Sequence, residues 1–234
     1  MRTIDVCLSP DLMHLYPVHD RVVVVVDILR ATSCMTTAFA YGIESIIPVA
    51  SLDEALSRKS ESTFTAGERD GKKVDGFDLG NSPFEYMQPH LKGSNIAFTT
   101  TNGTQAIVKS LGAIEVVIGS FLNIGRVAQY LESIGSNILV VCAGWKGKFN
   151  LEDTLFAGAL VDRLQNTLKP ACDAPLAASH LYRSASTNML DFLKNSSHVQ
   201  RLERLGIEKD IAFCLTQDEY NVLPVLRDGV LRPA

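Results

Sequence analysis

Five consecutive valines, Val22-Val23-Val24-Val25-Val26, run unbroken up to Asp27. An uninterrupted apolar run this short reads as a strand buried on both faces, the pattern of a parallel sheet covered by helices. Ile138-Leu139-Val140-Val141-Cys142 has the same character, and shorter strand-like runs fall at 3–8, 45–49, 63–66, 95–99 and 115–119. Between them lie helical patterns at 31–41, 52–60, 104–111, a stretch ending near Gly135, and 152–168. Strand and helix alternating in this way predict an α/β fold with a predominantly parallel or mixed sheet and helices on both faces. The C-terminal part is more helical, over 180–193 and 199–205, with Gly206 as a cap. Residues 211–214 and 222–226 read as strands, and Asp228-Gly229 as a hairpin turn. One domain over 1–234 accommodates this, with room for a helical lobe at about 150–210.

The chemistry gathers where strands stop. Ligands of open α/β sheets bind beyond the carboxyl ends of the strands. There the chain offers Asp27, Arg30, Thr32 and Ser33 after the valine run. A loop-like segment, 67–83, carries Glu68, Arg69, Asp78 and Asn81. Within it Ser82-Pro83-Phe84-Glu85 has the form of a capping box, which gives Ser82 and Glu85 a structural role. Thr101-Asn102-Gly103-Thr104 forms a polar turn before a helix, and Lys146, Glu152 and Asp153 follow the strand at 138–142. Helix starts favour anions, and an acid beside an anion-binding turn calls for a cation between them. A second reading fits the same residues: Asp27, Thr32 and Thr104 cap helices, Glu152 and Asp153 complement a helix dipole, and Arg30 is a surface cation.

A formal net charge of −4 argues against non-specific nucleic-acid binding. No apolar run approaches the roughly 18 residues that span a bilayer. Five cysteines, with no CxxC pair, suit buried thiols in a reducing cytoplasm. The segment Met1-Arg2-Thr3-Ile4-Asp5-Val6 reads as a strand rather than a signal peptide. An apolar C-terminal segment with little chemistry suits a subunit contact, and so a homo-oligomer.

Familiar phosphate and metal signatures are absent. GxxxxGK[ST], GxGxxG and HExxH do not occur. The residue six places beyond Cys142 is Lys148, not arginine, and Leu29 stands two places beyond Asp27, where aspartyl phosphatases carry a second aspartate. What remains is a set of oxygen donors (Asp27, Glu68, Asp78, Glu152, Asp153) and cations (Arg30, Arg69, Lys146) at strand ends. Hard oxygen ligands without histidine or cysteine select Mg2+, Mn2+ or Ca2+. Carboxylates, cations and helix starts together suit metal-assisted phosphoryl chemistry.

Six strings carry a resemblance: Asp27-Ile28-Leu29-Arg30-Ala31-Thr32-Ser33; Gly67-Glu68-Arg69; Gly76-Phe77-Asp78-Leu79-Gly80-Asn81-Ser82-Pro83; Thr100-Thr101-Asn102-Gly103-Thr104; Gly119-Ser120-Phe121-Leu122-Asn123; and Glu152-Asp153-Thr154 with Ala157-Gly158. In this order they resemble the 2-phosphosulfolactate phosphatase family over residues 1–160, more weakly beyond. The resemblance implies an α/β fold of the family's own and a Mg2+-dependent hydrolysis of 2-phospho-3-sulfolactate to 3-sulfolactate and phosphate. In that family the reaction is a step towards coenzyme M. It also implies a small phosphorylated carboxylic or sulfonic acid as partner, with neither nucleic acid nor membrane.

The expected site follows. Asp27, Glu68 and one or both of Glu152 and Asp153 hold the metal, with Asp78 a further candidate. Arg30, Thr32 and Ser33 bind the phosphate, and Thr101, Asn102, Gly103 and Thr104 the phosphate or carboxylate. Asn81 joins the substrate contacts, and Arg69 and Lys146 meet the sulfonate or the developing charge. Attack by a metal-activated water and an aspartyl-phosphate at Asp27 both stand as routes. A binding module that holds a phosphorylated metabolite without turnover, or a structural α/β protein, are the alternatives from other classes.

Overall fold

The computed structural model describes residues 2–234. In chain order its strands are β1 (Thr3–Cys7), β2 (Arg21–Val26), β3 (Ser45–Pro48), β4 (Thr63–Arg69), β5 (Lys72–Lys73), β6 (Asn95–Thr99), β7 (Glu115–Gly119), β8 (Asn137–Cys142), β9 (Lys169–Pro170), β10 (Pro224–Arg227) and β11 (Val230–Pro233). The helices are α1 (Ala31–Ala40), α2 (Leu52–Ser57), α3 (Gly103–Lys109), α4 (Ile124–Ile134), α5 (Leu151–Leu164), α6 (Asp173–Ala185), α7 (Met189–Leu193), α8 (Ser197–Glu203) and α9 (Glu208–Cys214). No described helix is long and apolar enough to cross a membrane.

All strands join one 11-stranded sheet in the order β5-β4-β6-β3-β11-β10-β7-β2-β8-β1-β9. The valine strand β2 lies in parallel register between β7 and β8. Its side chains divide by the two-residue period of a strand. Val22, Val24 and Val26 pack with α4 and α5, and Val23 and Val25 with α1 and α3. The mostly parallel α/β architecture and the two-sided burial of this strand agree with the pattern in the chain.

The C-terminal hairpin β10–β11 sits in the middle of this sheet, pairing antiparallel with β7 on one side and β3 on the other. Its apolar side chains, including Val225 and Leu231, are buried there. They serve the core of this chain. The hairpin also makes the β4-β6-β3 block run opposite to the β7-β2-β8-β1 block. Adjacent strands rotate by about 20–25°, so the six steps from β2 to β4 turn the sheet by about 120–150°. The carboxyl ends of both blocks therefore meet. Helix α1, buried from Ala31 to Phe39, is enclosed between them. Its Thr36 and Thr37 hydroxyls donate to Thr32 O and Ser33 O one turn earlier, at 2.8 and 2.9 Å, which satisfies them inside the core.

Four local expectations change. The segment from Gly67 to Arg69 belongs to β4, which turns at Asp70-Gly71 into β5. Both turn residues have positive φ, 54° and 84°, as a two-residue hairpin requires. No capping box forms at Ser82: the Glu85 carboxylate instead accepts the Gly80 N–H at 2.8 Å. Residues 211–214 are helical, within α9, because a four-residue apolar run carries no period of its own. The helix expected over 180–193 is two, α6 and α7, parted at Asn188, whose side chain caps α7 by accepting from Asp191 N.

Candidate active site

Strand β2 ends in a turn that closes on itself. Thr32 Oγ1 donates to Asp27 O at 2.9 Å and accepts from Asp27 N at 3.0 Å, while Ser33 Oγ donates to Ile28 O at 2.9 Å. Both hydroxyls, expected at the phosphate, are buried in this turn and hold Asp27 in place. The Asp27 carboxylate takes one long hydrogen bond, from Ala31 N to Oδ1 at 3.4 Å. A Cβ on Gly103 would meet Asp27 Oδ2 at 2.8 Å and Ala31 Cβ at 3.0 Å, so glycine allows the start of α3 to approach the acid.

Glu68 does the corresponding work for the other block. One oxygen accepts Thr101 N at 3.1 Å and Thr101 Oγ1 at 2.9 Å; the other accepts Gly71 N at 2.6 Å. Its carboxylate thus ties β4 to the turn after β6. Asn102 Oδ1 accepts Lys146 N at 3.3 Å, linking that turn to the one after β8. Asp153 sits behind Asp27, its two oxygens accepting Ile28 N at 2.8 Å and Gly144 N at 3.0 Å.

Asp27, Glu68, Thr101, Asn102, Arg30, Asn81, Asp70, Trp145, His198 and Arg201 line one small polar pocket of about 20 Å³. This volume holds one or two waters. Thr101 also borders a larger cavity of about 390 Å³ with Arg69, Thr104 and Lys109. The expected anion-binding residues are therefore divided between two spaces. Lys146 is exposed, with its ammonium 4.6 Å above the Trp145 ring. Asp78 is not at the pocket: Lys59 Nζ donates to it at 2.6 Å, and Thr65 N and Oγ1 at 2.9 and 2.8 Å. Burial opposes its ionisation, yet these bonds hold the carboxyl below its ordinary value.

Three contributors come from the C-terminal helices, where the sequence pattern shows no chemistry. Arg30, 4% exposed, pairs with the Asp210 carboxylate of α9 and donates to Gly71 O at 3.0 Å. The guanidinium expected to face a phosphate is thus engaged in joining the turn after β2, the β4–β5 hairpin and α9. From α8, His198 bonds through Nδ1 to the fully buried Glu152, which also accepts from Asn150 Nδ2 at 3.1 Å. Arg201, one turn further on, lays its guanidinium on the Trp145 ring, 4.4 Å from the centroid. Histidine and arginine three positions apart share a helix face, the one signal for this pair in the sequence.

The acids repel one another. Burial, then Glu68 and Glu152, push Asp27 up to about 6 against the lowering influence of His198 and Ala31 N. Burial, with Asp27 and Glu152 beside it, raises Asp153 well above the carboxylate range. Glu152 Oε2 is buried without a hydrogen-bond partner. Such a cluster is short of positive charge. Among the described residues no three His, Cys, Asp or Glu side chains converge on a point that would hold an ion. The donors fit Mg2+, which keeps several waters and takes one or two carboxylates, and do not fit a closed protein cage.

Carboxylates and cations gathered at converging strand ends define an α/β protein with a polar site beyond its strands, where such sheets bind ligands. Comparison with known proteins is more specific. The chain belongs to the 2-phosphosulpholactate phosphatase family, which matches residues 7–229. A Thermotoga maritima protein is 44% identical over 227 residues, 97% of this chain and 96% of its own length. A Caldanaerobacter subterraneus protein is 42% identical over 215 residues, 90% and 89% of the two chains. One from Clostridium tetani is 33% identical over 233 residues, 98% and 99%. Each of the three is named a probable 2-phosphosulfolactate phosphatase.

Proposed function

We propose that this protein is a Mg2+-dependent phosphomonoester hydrolase that converts 2-phospho-3-sulfolactate to 3-sulfolactate and phosphate. The observation that carries the reading is Asp27, whose Oδ2 takes no hydrogen bond and which lines one polar pocket with Glu68, His198 and Arg201. Membership of the phosphatase family supports the reaction, and the relatives' names support the substrate. Coenzyme M synthesis as its use follows from the family resemblance. Five free cysteines, four of them buried, support a reducing cytoplasm as its place.

Asp27 and Glu68 are the residues that would hold Mg2+. When bound, the ion supplies Lewis-acid polarisation of the phosphoryl oxygens and a more acidic water. His198, oriented through Nδ1 by Glu152, has Nε2 left for the substrate. In the proposed step a water oxygen bonds to phosphorus as the bridging C–O–P oxygen departs. Nε2 gives that oxygen its proton, and the proton shed by the water restores the ring. The backbone ties from Glu68 and Asp153 keep the three strand-end turns in register during this exchange.

The test is phosphate release from 2-phospho-3-sulfolactate, phospholactate and simpler phosphomonoesters, with Mg2+ and with EDTA. Turnover that needs Mg2+ and prefers the sulfonated ester is the expected result. Turnover confined to another ester keeps the chemistry and rejects the substrate. Metal binding without turnover on any ester points to a binding module.

A further inference from the structure

From the geometry of Arg201 we infer that this residue, held over the Trp145 ring, is the specificity clamp for a non-reacting oxyanion of the substrate. The inference rests on the phosphatase reading and adds the residue that selects the substrate's second charge. Arg201 lines the same pocket as Asp27 and His198. Among the described residues its side chain takes part in no ion pair or hydrogen bond, and its Nε is buried without a partner. A buried guanidinium donor left unpaired is costly unless a ligand completes it. Arg30, the other guanidinium at the pocket, already has Asp210 and Gly71 O.

The Trp145 ring holds the guanidinium carbon 4.4 Å from its centroid, and the planar guanidinium can offer an oxyanion a fork-like pair of hydrogen bonds. The reacting phosphoryl group needs the neighbourhood of Asp27, Glu68 and His198. Arg201 is therefore left for a carboxylate or a sulfonate, which present the same paired oxygens. The stack also joins two segments that the chain separates: Trp145 follows β8, and Arg201 lies in α8.

Trp145 is the only tryptophan of the chain, so its emission reports on this contact directly. The product 3-sulfolactate, titrated into the Mg2+-loaded protein, should change that emission, and Arg201→Gln should weaken its binding about 10- to 100-fold, the loss of one or two charge-assisted bonds. Arg201→Lys should restore little, because its ammonium lacks the planar fork. Kinetics supply the second arm, with 2-phospho-3-sulfolactate, phospholactate and 2-phosphooxyethanesulfonate. The first bears both extra anions, the second lacks the sulfonate and the third lacks the carboxylate. Arg201→Gln should raise KM on the full substrate, and the penalty should vanish on whichever ester lacks the anion it holds. Equal loss on all three would assign Arg201 to the phosphoryl group and overturn the inference, as would no loss on any. If the wild type turns over none of the esters, the phosphatase reading fails; the emission titration then decides the clamp by itself, and an unchanged affinity in Arg201→Gln overturns it.

Discussion

The Arg30 guanidinium and the Asp210 carboxylate, 180 positions apart in the chain, form a buried ion pair at the edge of the polar pocket that Asp27 lines. Through it the turn after β2 holds α9. With the Glu152–His198 bond and the Trp145–Arg201 stack, it is one of three ties that keep the C-terminal helices over the strand ends.

Breaking that pair by removing one partner strands the other charge in the interior. Asp210→Ala should destabilise the fold by about 3–5 kcal/mol. At about 2–4 °C per kcal/mol for a chain of this size, that is a fall in Tm on the order of 10 °C. The double variant Arg30→Met/Asp210→Leu should recover much of it, since an apolar pair leaves no orphan charge. Thermal unfolding of the three proteins is the measurement, and a Tm unchanged in Asp210→Ala would refute the tie.

Asp27 sits at about 6 in the fold, above its ordinary 3.8. The folded state therefore holds this proton more tightly than the unfolded chain. The stabilisation that protonation brings is complete below about pH 4 and is lost as pH rises through about 6. Asp27→Asn, which never ionises, should abolish turnover yet stabilise the fold at pH 8 by about 1–3 kcal/mol, seen as a higher Tm. Its advantage should disappear at pH 4. A Tm difference of the same size at both pH values would show that ionisation is not its cause.

Mg2+ should relieve the same repulsion. At 100-fold excess over its Kd, one bound ion adds about 2.7 kcal/mol of stability. The wild-type Tm should rise with Mg2+ and fall back with EDTA. In Asp27→Asn the rise should be small. An equal response in both proteins would remove Asp27 from the ligands.

His198 matters most when the departing oxygen is a poor leaving group. His198→Gln should slow hydrolysis of 2-phospho-3-sulfolactate by about 10²–10⁴-fold. An aryl phosphate, whose phenolate leaves without a proton, should lose far less. Equal losses on the two esters would assign His198 a binding or structural role instead.

Gly103→Ala separates helix propensity from site geometry. Alanine favours the helix by up to about 1 kcal/mol. The new Cβ, however, would press on Asp27 Oδ2 at 2.8 Å and Ala31 Cβ at 3.0 Å. Tm should therefore change little while kcat/KM drops at least about tenfold, because a small misplacement of a reacting group suffices. Full activity in this variant would mean that Asp27 has room to move without consequence.

Much of the fold was legible along the chain because its signals are local. A valine run needs no partner to announce a doubly buried strand, and Asp228-Gly229, with φ of 51° and 77°, marks its hairpin wherever it lies. The turns holding Asp27, Glu68 and Thr101 to Gly103 followed from the rule that chemistry collects at strand ends. Their resemblance to a phosphatase family came from ordered motifs of the same local kind. The direction in which each side chain points did not follow. Thr32 and Ser33 turn inward because the bend after β2 needs its backbone groups satisfied, and Asp78 is drawn to Lys59 and Thr65. His198, Arg201 and Asp210 stand far from Asp27 in the chain, on short helices whose polar residues look like solvent-facing ones. They reach the pocket only because sheet twist and the central C-terminal hairpin bring opposed strand ends under α8 and α9. Local sequence determined the long parallel strands and the acids at their ends; long-range packing, which no short window encodes, decided which of those acids share a pocket and which cations face them.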